Sequence, residues 1–389
     1  MIAIANGKVV TVTGETYEKG TVLLDGGKIA AVGADVEIPE GAEVIDASGK
    51  WVTPGLIDAH THISTFNEPQ VIPPSYDGNE TSSPITPQVR GIDALNPRDM
   101  AIAITRSAGF TTCYTGPGSA NVIGGTGLCF KLKEAETCLE MAIPGTEMMK
   151  FALGENPKRF YGTKGQMPVT RMGVAALLRE TLTKAKNYSD ALLEAQTDPE
   201  KKPKPDFALD ALVPVVRGEM KVRIHCHRAD DIVTAIRISE EFGLKYSIEH
   251  VTEGYLIADY LAQKDPDMVI GPLNMGPGKM EIWNTSLSNP AKLEAAGCKR
   301  FSLMADTSSA TKFLPTYIGL CIGRGLSPEL AMKAVTINPA TMLGIADRVG
   351  SIEVGKDADL AIWSGFPFSN LSLCEKTIID GRVYENEPF

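Results

Sequence analysis

Leu56-Ile57-Asp58-Ala59-His60-Thr61-His62 is the stretch on which the reading of the whole chain turns. Its apolar start and short length spell a strand, and period-two geometry puts His60 and His62 on one face at its end, where both imidazoles can reach one metal ion. Ile224-His225-Cys226-His227 repeats the pattern with Cys226 facing the other way, and Ser247-Ile248-Glu249-His250 ends a further strand on a single histidine. The chain has five histidines, and these three segments hold all of them. Another apolar run, Ser302-Leu303-Met304-Ala305, leads into Asp306. In a parallel barrel the carboxyl ends of the strands converge on one mouth, so His60, His62, His225, His250 and Asp306 can surround a single site.

Outward from that strand, residues 54–345 alternate strand-like and helix-period runs, the pattern of βα units. Strands are expected at 56–63, 111–114, 148–153, 221–225, 245–249, 267–270 and 300–304, with one or two more blurred between 119 and 142. Helices are expected at 97–108, 171–186, 230–242, 254–262, 312–323 and 327–337. Residues 1–53 and 346–389 read instead as short strands separated by Gly, Asn and Asp turns. The expected fold is therefore α/β: a (β/α)8 TIM barrel over 54–345, with a small composite β-sandwich domain formed by the two terminal segments. The Pro-, Ser- and Asn-rich stretch 67–93 reads as a long loop at the mouth, and 196–205 as a polar surface insertion.

Composition narrows the function classes. A net charge of −10 argues against a nucleic-acid surface, which needs a basic stripe to neutralise phosphates. No apolar run is long enough to cross a bilayer and the first residues lack a signal-peptide pattern, so a cytoplasmic protein is expected. Seven cysteines are scattered without a CxxC pair, unlike a zinc ribbon or a disulfide frame. The glycine-rich stretch 116–127 has neither P-loop nor dinucleotide spacing and reads as close backbone approach near the mouth. Lys158, Arg159 and Arg228 flank strand ends and are candidates for holding a substrate carboxylate.

Pro54-Gly55-Leu56-Ile57-Asp58-Ala59-His60-Thr61-His62, the later His225 and His250, Asp306, Asn338-Pro339-Ala340 and Gly350-Ser351-Ile352-Glu353-Val354-Gly355-Lys356-Asp357-Ala358-Asp359-Leu360 together resemble the amidohydrolase superfamily over nearly the whole chain. The likeness is to its imidazolonepropionase-related and prolidase-like members. The resemblance implies that His60, His62, His225 and His250 are metal ligands, that Asp306 is ligand and general acid/base, and that His227 contacts substrate. A bridging carboxylate has two candidates, a carboxylated Lys150 or Glu155 at the strand end, and Glu155 is preferred because it needs no modification. One or two divalent ions are implied, with zinc the default and manganese, iron or cobalt accepted by the same donors. The implied activity is hydrolysis of an amide or lactam in a small molecule that bears a carboxylate. Deamination of a heterocycle is the nearer alternative, and a non-catalytic scaffold the more distant one. The partner expected is a small molecule, with no nucleic acid or membrane, and homo-oligomerisation is left open.

Overall fold

The chain opens with β1 (Ile2–Val10), β2 (Thr16–Asp25), β3 (Lys28–Gly33), β4 (Glu43–Asp46) and β5 (Trp51–Pro54). It continues through β6 (Leu56–Thr61), β7 (Phe110–Thr115), β8 (Ile123–Lys131), β9 (Met148–Ala152), β10 (Val222–Cys226), β11 (Tyr246–His250), β12 (Asp267–Ile270) and β13 (Phe301–Leu303). It closes with β14 (Leu360–Trp363), β15 (Cys374–Ile379) and β16 (Arg382–Glu385). The computed structural model describes residues 1–69, 77–274, 276 and 278–386, so 70–76 of the expected mouth loop lie outside the described residues.

Strands β6 to β13 are hydrogen-bonded neighbours in chain order and form a nearly closed, TIM-barrel-like sheet. The gap between β13 and β6 is bridged by His62 N–H donating to Thr307 O at 3.0 Å and by Ala305 N–H donating to the Asp58 carboxylate at 3.1 Å. Every residue of β6, β7, β9 and β10 is buried, as expected of strands covered on both faces.

The barrel departs from the (β/α)8 expectation at one strand. The blurred region 119–142 contains β8, which runs antiparallel to both β7 and β9. The reason lies in the connection: only residues 116–122 separate β7 from β8, too few for the crossover of a dozen or more that a parallel neighbour requires. The glycines there bring backbone against backbone, since a Cβ on Gly127 would stand 2.4 Å from Thr115 O. The described part of the mouth loop lies along the same strand, with Ile85 bridged to Ile123 and Arg90 to Thr126.

Helices follow the expected order with shifted ends. The expected 327–337 helix is shorter, Pro328–Lys333, and a separate helix, Ile337–Met342, starts where that helix is expected to end, with Pro339 in its first turn. The expected 254–262 helix is a 3-10 turn, Gly254–Leu256, followed by Ala258–Lys264. No helix among the described residues is long and apolar enough to cross a membrane.

The second sheet takes strands from both ends of the chain, in the order β16, β15, β14, β5, β1, β2, β3, with β4 also paired to β1. It meets the barrel at Lys131, the last residue of β8, whose Nζ lies 2.7 Å from Asp357 and 3.1 Å from Asp359 and also contacts Asp380. Lys28 and Arg348 close on Asp357 at 2.6 and 2.7 Å.

Candidate metal centre

The strand ends bring His60, His62, His225, His250 and Asp306 together, and each histidine has one ring nitrogen occupied by the protein. His60 Nδ1 faces Glu249 Oε2 at 2.6 Å, an ion-pair contact without hydrogen-bond alignment. His62 Nδ1 is 2.9 Å from Gly116 O, and His250 Nδ1 is 3.0 Å from Gly271 O. His225 Nε2 is 3.4 Å from Asn156 Nδ2. The opposite nitrogens are left for the centre: His60 Nε2 and His62 Nε2 each stand 3.2 Å from Asp306 Oδ1, while His225 Nδ1 and His250 Nε2 are buried without a hydrogen-bond partner among the described residues. Two sets of ligand atoms result, His60 with His250 and Asp306, and His225 with His227 and His250, each within 4.8 Å of one another.

Electrostatics suit a cation there. Burial first, then the neighbouring histidines, holds His225 and His250 well below the usual imidazole range, so both are neutral with lone pairs available. Burial would raise the Asp306 carboxyl, but His250, His60 and His62 outweigh it and hold it well below the carboxylate range. His250 and Asp306 adopt left-handed backbone, φ 73° and 54°, an uncommon conformation for residues with a Cβ and one that tends to cluster at functional sites.

Behind His60 lies a charged layer that the motif did not reveal. Glu249, fully buried, is gripped by Arg223, whose guanidinium stacks 3.9 Å from the Tyr114 ring. Lys150 Nζ stands 3.3 Å from Glu249 and 3.5 Å from His60 Nε2, so the structure brings Lys150 to the centre. Glu155 it directs elsewhere. Glu155 begins the helix Glu155–Gly162, and its carboxylate accepts the Glu281 N–H at 3.3 Å while its own N–H donates to Glu281 Oε2 at 2.7 Å. It belongs to neither ligand set.

Of the residues expected to bind substrate, His227 has both ring nitrogens engaged, Nδ1 2.8 Å from Thr252 Oγ1 and Nε2 3.3 Å from Lys279 Nζ. Burial and Lys279 push its pKa down to about 3. Arg228 forks onto Asp230 with both contacts at 2.9 Å, and Lys158 is half-buried outside the cavity lining. Arg159 does line the cavity, a cleft of about 770 Å³ bounded also by His62, Asp306, Asn156 and Lys279, and it has no carboxylate partner among the described residues. Lys279 and Glu281, which lie beside His227 and His225, were not singled out in the sequence: they sit in a Gly- and Pro-rich stretch without periodicity. Glu249, Arg223 and Lys150 carried a readable signal, single charges inside otherwise apolar strands, since a buried charge is kept only when paired.

A profile of the amidohydrolase family matches residues 290–384. The chain is similar throughout to a crystallised amidohydrolase from Thermotoga maritima MSB8, with 39% identity, a TM-score of 0.94 and 100% of each chain covered. It is 29% identical over 395 residues to the amidohydrolase tasK of Hapsidospora irregularis, a match that takes in 95% of this chain and spans 40% of the length of that protein. An imidazolonepropionase of Geobacillus sp. strain WCH70 is 28% identical over 389 residues, which cover 89% of this chain and 84% of that enzyme.

Proposed function

The chain belongs to the amidohydrolase family and is a hydrolase acting on carbon–nitrogen bonds, and from that premise we propose that it cleaves an amide or lactam in a small, carboxylate-bearing molecule with the help of a divalent metal. One observation carries the reading: buried His60, His225 and His250 and half-buried His62 converge at the strand ends beside Asp306, one nitrogen of each facing protein atoms and the other turned to a common centre. His60, His62, His225, His250 and Asp306 would hold the ion. Lys150, beside His60, is the favoured position for a bridging carboxylate, formed if carbon dioxide adds to its amine, because Glu155 is committed to the Glu281 backbone.

When bound, the metal supplies a water of lowered pKa and polarises a carbonyl; zinc is the default for these donors, with manganese, iron or cobalt as alternatives. Asp306 handles the proton. Its Oδ1 faces His60 and His62, which leaves Oδ2, 3.9 Å from His250 Nδ1, to take a proton in the cavity and return it to the leaving nitrogen. Arg159 pairs with the substrate carboxylate, and His227 acts by holding Lys279 in the wall. Imidazolone- or hydantoin-like rings, N-acyl amino acids and dipeptides fit this description. Deamination is less well supported, because Glu253, the carboxylate of His250-Val251-Thr252-Glu253, accepts the Ala229 N–H at 2.9 Å and the Asn284 amide at 2.8 Å.

Residues 1–53 and 346–389 are read as one small β domain, since their strands share a sheet. Seven unpaired cysteines favour a reducing compartment, the cytoplasm.

The test is a panel of such amides offered to chelator-stripped protein before and after Zn2+ is returned, with and without bicarbonate. Activity should vanish on stripping and return fully only with bicarbonate. Full activity in demonstrably metal-free protein overturns the reading, and full recovery without bicarbonate removes Lys150 from the bridge.

A further inference from the structure

The four histidines at the centre are not held alike. Glu249 holds His60, and backbone carbonyls hold His62 and His250; all three are acceptors, so each draws the ring proton to the far nitrogen and leaves a lone pair toward the centre. His225 is the exception. Its Nε2 has a donor as nearest neighbour, Asn156 Nδ2 at 3.4 Å. Asn156 cannot turn round, because its Oδ1 accepts from Lys279 Nζ at 3.1 Å and its Nδ2 donates to Ser119 Oγ at 2.8 Å. A donor at Nε2 favours the proton on Nδ1, the buried atom that has no partner and must be bare to act as a ligand.

The nearest carboxylate is that of Glu281, whose Oε1 stands 3.6 Å from His225 Nε2, just beyond hydrogen-bond distance, and 3.8 Å from His227 Nε2. Glu281 is fully buried and its place is fixed from several sides. Its Oε2 accepts the Glu155 N–H, its own N–H returns to the Glu155 carboxylate, and Gly154 is pressed so close that a Cβ there would stand 2.6 Å from Oε2. Gly154 also has φ 84°, so glycine is required twice over. Lys279 Nζ, 2.6 Å away, competes for the same Oε1.

We propose that Glu281 is the positioning residue for His225: by closing the short remaining gap its Oε1 takes the Nε2–H and so turns the Nδ1 lone pair to the metal. Lys279 opposes it, occupying that oxygen and adding a positive charge near the ion. The Glu155–Glu281 exchange is the clamp that keeps the carboxylate in range. The inference rests on His225 being a metal ligand.

The experiment measures the Zn2+ dissociation constant of the full chain by competition with a chromogenic chelator, beside the melting temperature of the metal-free protein. Glu281→Gln should raise the Zn2+ Kd about 10–100-fold. Lys279→Met, which frees Oε1 and removes a cation, should bind Zn2+ as tightly as the wild type or more tightly. A merely structural segment would instead loosen metal in both variants together with a fall in melting temperature, and that result overturns the proposal. So does an unchanged Kd in folded Glu281→Gln. Should that variant not fold, Glu281→Asp, which keeps the charge and shortens the reach, carries the same expectation of weaker binding. The underlying reading fails separately: if His225→Ala binds Zn2+ like the wild type, His225 is not a ligand, whatever Glu281 does.

Discussion

At the carboxyl ends of the barrel strands, His225 Nδ1 and His250 Nε2 lie buried with no partner among the described residues. At the far end of the same barrel, Lys131 has a carboxylate for each of its three donors. Both regions gather ionisable groups that would be costly to bury alone. The Lys131 joint resolves that cost internally: ammonium meets Asp357, Asp359 and Asp380, and Lys28, Lys133 and Arg348 balance the carboxylates further. One carboxylate oxygen, Asp359 Oδ2, stays without a partner among the described residues, but no bare ring nitrogen faces the cluster, and the joint holds the second sheet to the barrel. The mouth leaves convergent lone pairs unmet. Unmet buried nitrogens, more than density of charge, distinguish the proposed reactive end from the structural one.

If that distinction holds, substitutions at the two ends should fail in different currencies. The largest effect is expected at Asp306. Asp306→Asn cannot accept the proton at Oδ2, and kcat should fall by about 10²–10⁴-fold, with KM and melting temperature little changed. Steady-state kinetics beside a thermal melt would check it, and a melting point that falls in step with kcat would make the mouth a structural joint as well.

Lys131→Met should do the reverse. It leaves buried Asp359 without a cation, while Asp357 keeps Lys28 and Arg348 and Asp380 keeps Lys133, and removing one partner of a buried ion pair costs about 3–5 kcal/mol. Denaturant unfolding should report that loss while kcat per folded molecule stays at the wild-type value, because the joint lies at the opposite end of the strands from Asp306. A loss below about 1 kcal/mol, the scale of an exposed ion pair, would mean that solvent reaches the cluster.

The same contrast explains what could be read before any coordinates. The convergence of His60, His62, His225, His250 and Asp306 was legible because strand period and strand end together dictate direction. The turn of β8 was less legible: its residues suit a strand of either sense, and only the shortness of 116–122 sets the direction. The Lys131 joint was illegible in principle, since Asp357, Asp359 and Asp380 sit among Gly355 and Gly381 in stretches that ordinarily face water, and docking of the two sheets alone makes them partners. Glu155 and Lys150 share one segment, and the contact that draws Glu155 aside comes from Glu281, 126 residues further along the chain.

The smallest effect tests the weakest member of the joint. Asp359 Oδ1 meets Lys131 and accepts the Asp380 N–H at 2.9 Å, but Oδ2 has no partner among the described residues, and burial pushes the carboxyl up to about 6 in spite of Lys131. Its neighbours differ: Lys131 and Lys28 hold Asp357 down at about 2 against burial, and Lys131 and Lys133 hold Asp380 below its usual range. Within the joint, the interval from pH 4 to 7 therefore belongs to Asp359. A folded-state pKa above the ordinary value means that the folded protein binds this proton more tightly than the unfolded chain. The group's contribution to stability is then complete below about pH 4 and is lost as the pH rises through about 6. Asp359→Asn has no proton to lose and keeps an oxygen for Lys131 and the Asp380 N–H. Its unfolding free energy, measured in urea at pH 4.5 and at pH 7, should improve relative to the wild type by on the order of 1–3 kcal/mol between the two. Because every other titrating group is common to both proteins, it drops out of the difference. Parallel curves would place Asp359 ionised throughout, and the joint would then be saturated at every atom, a sharper opposite to the open mouth than the structure describes.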